Sequence, residues 1–175
     1  APRRRQHRLL RRTPALARRL TRVPIERRAT SSRLLAESTP GEMQELYEMA
    51  GDNPQAQNEI DVALEFGPSL GSSRIAAWDY SRYVSLCSRG YYLGYLSEEE
   101  AWSKIMPAAR ARQGSFSSWS DLGENYLIGR RFWSVDETAA NGEKFSAAYY
   151  YLLSDCSSPW VTIPWSTHLG GSAEE

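Results

Sequence analysis

The sequence predicts an all-α fold, a single compact domain of about six helices, from three observations. Residues 38–175 repeat helix-capping signals, and apolar residues follow them at spacings of three and four. No segment alternates apolar and polar residues over the length of a strand, and no Asn-Gly hairpin turn joins two such segments. The chain has 175 residues and is 41% apolar, which suits one globular core.

The first two predicted helices begin with a capping residue followed by proline. Thr39 caps "PGEMQELYEMA", and Glu42 completes a capping box before a glycine ends the helix. Asn53 caps "PQAQNEIDVALEF", which again ends at a glycine. Helical spacing gives this second helix an apolar face of Ile60, Ala63 and Leu64.

Four further helices follow, and the chain then closes with an extended segment. The third is expected from about residue 74 to residue 89, where Gly90 stops it. Ser97 caps the fourth, with Glu100 closing its capping box. "SSWSDLGENYLIGRRFW" and "GEKFSAAYYYLLSD" contain the fifth and sixth. The two prolines of "SSPWVTIPWSTHL" indicate an extended segment, which we expect to wrap back over the helices. The regularly spaced tryptophans are expected to anchor the core: Trp78, Trp102, Trp119, Trp133 and Trp160.

Charge is segregated along the chain. Residues 1–33 contain twelve arginines and a single acid, Glu26, whereas residues 34–175 contain nine basic and twenty acidic side chains. We therefore expect residues 1–37 to be an arginine-rich, disordered tail or the product of a mistranslated start, and residues 38–175 to be the helical domain. Binding of nucleic acid by the tail's arginines is an alternative that ranks below these two.

The third helix contains the candidate site. On a helical wheel Asp79, Arg82 and Arg89 share one arc with Trp78, while Ala77 falls on a stripe of small residues left for water. This inverts the usual surface pattern and predicts that the charged residues are partly buried. Because an unpaired buried charge costs several kcal/mol, Asp79 is expected to pair with an arginine.

Two interpretations of this arc compete. In the first, the charges form a polar network that fixes the helix register. In the second, they form an arginine-rich, aromatic-walled pocket for a carboxylate or phosphate. An enzyme, hydrolase or effector-like, would have to use Asp79 or Glu100 as its acid or base, because His7 and His168 are the only histidines.

The remaining composition excludes several classes of site. Cys87 and Cys156 lack a CxxC spacing, so we expect free thiols in a reducing cytoplasm, with no metal site and no cofactor. No apolar run approaches the roughly 18 residues that a membrane span needs.

Three motifs occur in an order that resembles a bacterial family, domain of unknown function 1266. They are "AWDYSRYVSLCSRGYYLGYLSEEEAW", "FSSWSDLGENYLIGRRFW" and "SPWVTIPW", and together they span roughly residues 75–168. The resemblance implies a bacterial helical domain and no established activity. The residues that match the family pattern are Trp78, Asp79, Arg82, Gly90, Gly94, Tyr95, Glu100, Trp102, Trp119, Tyr126, Gly129, Arg130, Trp133, Pro159, Trp160 and Trp165. Upstream, the arginine-rich segment stands where the family has a tryptophan- and glycine-containing helical lead-in.

The leading hypothesis is a non-enzymatic, cytoplasmic domain that binds a partner protein or a small anionic ligand. Its candidate binding residues are Trp78, Asp79, Arg82, Arg89, Trp119, Tyr126, Arg130 and Trp133. The enzyme and the nucleic-acid-binding tail remain the alternatives.

Overall fold

The computed structural model describes residues 39–170, which form seven α-helices and one 3-10 turn, with no strand among them. The helices are α1 (Pro40–Ala50), α2 (Pro54–Leu70), α3 (Ala76–Tyr92), α4 (Glu98–Ser115), α5 (Trp119–Trp133), α6 (Val135–Ser154) and α7 (Pro159–Thr162). The all-α prediction and its six long helices are confirmed. The segment expected to be extended contains one helical turn, α7. The arginine-rich residues 1–37 lie outside the described range.

The predicted capping signals start the helices as expected. Thr39 and Ser97 each form a complete capping box, with Glu42 and Glu100 respectively. The start of α6 was missed: its cap is Ser134, whose hydroxyl accepts the backbone N–H of the third helical residue, so the helix begins seven residues before the predicted segment. Helices α2 and α3 also continue past the glycines expected to end them.

Helix α5 is the centre of the fold. It packs against α2, α3 and α6, while α1 covers α2, α4 covers α3, and α7 lies against α6. Glycines on α5 permit this packing. A Cβ at Gly129 would lie 2.5 Å from the Cβ of Trp78 on α3, and one at Gly123 would lie 2.5 Å from the ring of Tyr149 on α6. Helices α3 and α5 therefore approach each other closely at Gly129.

Two groups of buried residues form the core. The larger joins α1, α2 and the end of α5, and it consists of Met43, Ile60, Val62, Ala63, Leu70, Ile75 and Phe132. Leu64, predicted to lie on the apolar face of α2 with Ile60 and Ala63, is 49% exposed, and Val62 is fully buried. The smaller group is Ala77, Phe116 and Leu122. Ala77 was expected to face water and is fully buried because α3 packs against α5. Its backbone N–H donates to the Asn125 side chain on α5.

The C-terminal segment wraps back over the helices, as the sequence indicates. The indole of Trp165 donates to the carbonyl of Phe116, and the indole of Trp119 donates to the carbonyl of Ile163. Cys87 is buried and Cys156 exposed, and both are free thiols as expected. Between residues 39 and 170 no helix is both long and apolar enough to cross a membrane.

Candidate functional site

Helices α3, α5 and α6 bring part of the predicted site together as an arginine–aromatic stack, which consists of Arg82, Trp133, Trp78, Arg130 and Phe145. The Arg82 guanidinium lies 4.7 Å above the Trp133 ring, whose centroid is 5.5 Å from that of Trp78. On the other side of Trp78, the Arg130 guanidinium lies 5.4 Å from its ring and 3.4 Å from that of Phe145. Cations over ring faces are attracted by the ring quadrupole, so the stack links the three helices.

Tyr126 joins the stack from α5, with its ring centroid 5.4 Å from that of Trp78. The inner cation, Arg130, has only 13% of its side chain exposed and pairs with Glu137 at 3.0 Å. Its Nε is buried and makes no hydrogen bond. Arg130 is therefore a cation fixed between helices. This is the arrangement expected of a polar network that fixes the helix register.

The outer end of the stack faces solvent. Arg82 and Arg89 are exposed, so the prediction that both are partly buried is wrong, whereas Asp79 is partly buried as expected. Long cationic side chains can lie along an apolar surface and keep their charged end in water, as Arg82 does over Trp133. Arg89 lies eleven residues beyond Trp78 on α3, about 16 Å along the helix axis, and is therefore not part of the stack.

Trp119, the remaining predicted residue, belongs to a separate aromatic cluster beneath the C-terminal segment. Its ring stacks on Trp160 at 5.5 Å with an interplanar angle of 12°, and it meets Trp165 edge-on at 4.8 Å. Five of the eight predicted residues therefore belong to the stack and its neighbour Tyr126, while Trp119 lies in the second aromatic cluster and Arg89 farther along α3. The eighth, Asp79, follows Trp78 on α3 and is partly buried.

A cavity of about 210 Å³ lies between α2, α5 and α6. Its lining is Phe66, Leu127, Ile128, Arg130, Arg131, Thr138, Gly142, Phe145 and Ser146. Each of its two arginines is already paired with a glutamate, Arg130 with Glu137 and Arg131 with Glu65 at 2.8 Å. The cavity therefore offers an apolar space whose cations are neutralised. No group of histidine, cysteine, aspartate and glutamate side chains suited to a metal occurs within the described part of the chain.

Glu100, a candidate acid or base, has a structural role. Its carboxylate accepts the backbone N–H of Ser97 at 2.7 Å, and the Ser97 hydroxyl accepts the N–H of Glu100 at 3.1 Å. These reciprocal bonds satisfy two donors that the first turn of α4 would otherwise leave unpaired.

An exposed aromatic surface was missed by sequence reasoning. It consists of Tyr91 (49% exposed), Tyr92 (88%), Leu93 (65%), Tyr95 (48%) and Trp102 (53%), and is called the tyrosine surface below. The expectation that Trp102 anchors the core is wrong, because its position in the second turn of α4 faces solvent. The signal was present as the run "GYYLGYL", whose aromatic density exceeds what one buried face of a helix can hold.

The turn that carries the tyrosine surface is held by defined contacts. The carbonyl of Gly90 accepts the N–H groups of Tyr95 and Leu96 at 2.8 and 3.2 Å. Gly94 has a φ of 74°, a backbone conformation that favours glycine. The Leu96 side chain covers Gly90, leaving only 3.1 Å between it and a Cβ at that position. An ordered turn therefore joins the two helices that carry the exposed rings, with Tyr91 and Tyr92 at the end of α3, Tyr95 in the turn and Trp102 on α4.

Arg112 on α4 was also missed by sequence reasoning. One terminal nitrogen of its guanidinium donates to the Ser81 hydroxyl on α3, while its Nε is buried without a hydrogen-bond partner. Burial lowers the pKa of Arg112 to about 10, and the neighbouring Tyr126 and Tyr80 raise it in part. The polar run "ARARQG" gives no signal of this burial, which results from the packing of α4 on α3.

Comparison with known proteins gives a family and no relative of established activity. The family model described as "Protein of unknown function (DUF1266)" matches residues 5–165, a span that includes most of the arginine-rich segment. No curated protein sequence and no solved structure matches the chain.

Proposed function

Because the chain belongs to the DUF1266 family of proteins of unknown function, its role has to be inferred from its own surfaces, and we propose that it is a non-enzymatic domain that binds a partner protein. The observation that carries this proposal is the tyrosine surface. Five large side chains within residues 91–102 are each about half exposed or more. Unpaired Cys87 and Cys156 fit the reducing cytoplasm, which we propose as the domain's compartment.

The composition of the tyrosine surface is that of a protein interface. Tyrosine and tryptophan are enriched at the centres of interfaces and dominate their binding energy. Their apolar rings lose contact with water on binding, at about 25 cal/mol per Å² of apolar area. Clustered exposed apolar groups of this kind mark interaction sites in soluble proteins, whereas single exposed residues need no explanation.

We propose that the partner presents an arginine-rich segment. The exposed carboxylates of Glu98 and Glu99 stand on the first turn of α4, beside Trp102. Two copies of this surface would bring their acidic groups together, which disfavours self-association. Arginine satisfies both features of the surface, because its guanidinium stacks on aromatic faces and binds carboxylates through two parallel hydrogen bonds.

The domain already uses this chemistry internally. Arg82, Arg130 and Arg131 each lie over the face of an aromatic ring, at distances between 3.4 and 5.4 Å. The tyrosine surface offers similar ring faces to the outside. The capping role of Glu100 further supports a binding function over an enzymatic one. Its carboxylate, one of the two proposed acid or base groups, is engaged by the backbone N–H of Ser97.

The test is fluorescence anisotropy of a labelled arginine-rich peptide titrated with the full chain. We expect the double variant Tyr92→Ser/Leu93→Ser to bind at least about tenfold more weakly, a loss of about 1.4 kcal/mol. The peptide with lysine in place of every arginine should bind the wild type more weakly, because lysine lacks the planar fork.

The matched control is Tyr150→Ser/Tyr151→Ser on α6, which removes two similarly exposed tyrosines elsewhere. Equal loss of binding in both double variants, or equal affinity for the two peptides, would contradict the proposal. If the peptide binds only after residues 1–33 are removed, the occupant of the tyrosine surface is the chain's own arginine-rich segment and not a separate partner protein.

A further inference from the structure

Arg112 is a partly buried cation that no acidic side chain of the described structure balances. Its Nε is buried without a hydrogen-bond partner, and one of its terminal nitrogens donates to the neutral hydroxyl of Ser81. Arg130 and Arg131 form ion pairs with glutamates, whereas within residues 39–170 no carboxylate lies within ion-pair distance of Arg112. The two half-buried arginines of α5, Arg130 and Arg131, each have a glutamate, whereas Arg112 on α4 has none.

Such a charge is costly unless an anion accompanies it. Moving a cation out of water is repaid only by a close opposite charge with well-formed hydrogen bonds. Arginine does not escape the cost by losing its proton, since even a pKa of about 10 leaves the guanidinium charged at neutral pH. The fold therefore keeps a positive charge between α3, α4 and α5 with polar neutral groups around it.

We propose that Arg112 binds the carboxylate of a small-molecule ligand, at a site separate from the tyrosine surface. The groups around it fit this ligand class. The guanidinium offers N–H donors in a planar fork that matches two carboxylate oxygens. Ser81 and the nearby phenols of Tyr80 and Tyr126 carry hydroxyl donors.

A carboxylate fits better than a phosphate because a single cation is present. One guanidinium balances one negative charge, whereas a phosphate at neutral pH carries between one and two. An aromatic or aliphatic monocarboxylic acid is therefore the expected ligand class.

The experiment measures thermal unfolding of the full chain in sodium chloride, sodium acetate, sodium benzoate and sodium phosphate at equal ionic strength. Wild type should unfold at a higher temperature in benzoate and acetate than in chloride, with phosphate giving the smaller shift. Arg112→Gln should lose the carboxylate-dependent shift. Arg89→Gln makes the same charge change at an exposed position of α3 and should keep the shift.

An equal shift in Arg112→Gln and wild type, or no shift in wild type, would overturn the proposal. A larger shift in phosphate than in benzoate would overturn the choice of ligand class. If Arg112→Gln does not fold, the nitrogen-15 resonance of the Arg112 Nε–H in wild type decides. It should move on addition of benzoate with saturation and stay in place on addition of chloride; an unchanged resonance would contradict binding at this side chain.

Discussion

Replacement of Gly129 by alanine tests the helix packing that creates the arginine–aromatic stack. The added Cβ would lie 2.5 Å from the Cβ of Trp78 and 3.1 Å from that of Ile75. Ordinary carbon contacts lie at about 3.5 to 4.0 Å, so α3 and α5 would have to separate by about 1 Å or more. Because both neighbouring atoms are Cβ atoms fixed to the α3 backbone, no change of rotamer relieves the overlap.

The expected result of Gly129→Ala is a net loss of stability. Overpacking of this kind costs about 1–3 kcal/mol or more, while replacing a helical glycine by alanine gains about 1 kcal/mol of helix propensity. Gly142→Ala is the matched control, since its Cβ would meet only a Thr138 methyl group at an ordinary 3.7 Å. This control should therefore gain stability.

Urea unfolding followed by circular dichroism measures both variants against wild type. We expect Gly129→Ala to unfold at lower urea and Gly142→Ala at equal or higher urea, with a difference between them of about 2 kcal/mol or more. Equal stabilisation by the two alanines would refute the close contact of α3 with α5, and with it the geometry of the stack.

Three further outcomes are expected from single side chains. Asn125→Ala should lower the free energy of unfolding by about 1–3 kcal/mol in urea titrations, because it removes the partners of the buried Ala77 N–H and the partly buried Arg74 C=O. The pKa of Tyr149 is raised, chiefly by burial and then by its bond to Glu124; its stabilising effect is full below the unfolded pKa of about 10 and is lost as the pH rises through the folded value. Unfolding between pH 9 and 12 should therefore show a shallower loss of stability in Tyr149→Phe than in wild type. In a thiol-reactivity assay Cys156 should react rapidly and Cys87 only as the domain opens, and two equally fast thiols would contradict the burial of Cys87.

The parts of the fold that local chemistry determines were predictable from the sequence. Thr39 and Ser97 start their helices because a hydroxyl and a glutamate three residues on satisfy the first backbone donors, whatever the rest of the chain does. Ser134 acts through the same kind of bond, yet "SVDETAANGEK" lacks the apolar stripe that draws attention to a helix. Its helix is stabilised instead by contacts with α5.

The parts that depend on tertiary packing were not predictable. Trp78, Arg130 and Trp133 were named from the sequence as candidate residues, but only the crossing of α3 and α5 determines which ring each arginine covers. Tryptophan is a residue type that often anchors a core, yet Trp102 is exposed because α4 presents its other face to α3. Arg112 lies in a polar run, and the burial of its Nε follows from the packing of α4 on α3.

The proposed partner site is tested most directly by mapping where an arginine-rich peptide contacts the full chain. Nitrogen-15 and proton chemical shifts would be recorded for the 175-residue chain as the peptide is added. We expect the shifts to concentrate in residues 91–102 and to include the Trp102 indole N–H, with the indole of buried Trp78 unaffected. Shifts confined to other helices, or no saturable shift in residues 91–102, would contradict the tyrosine surface as the binding site.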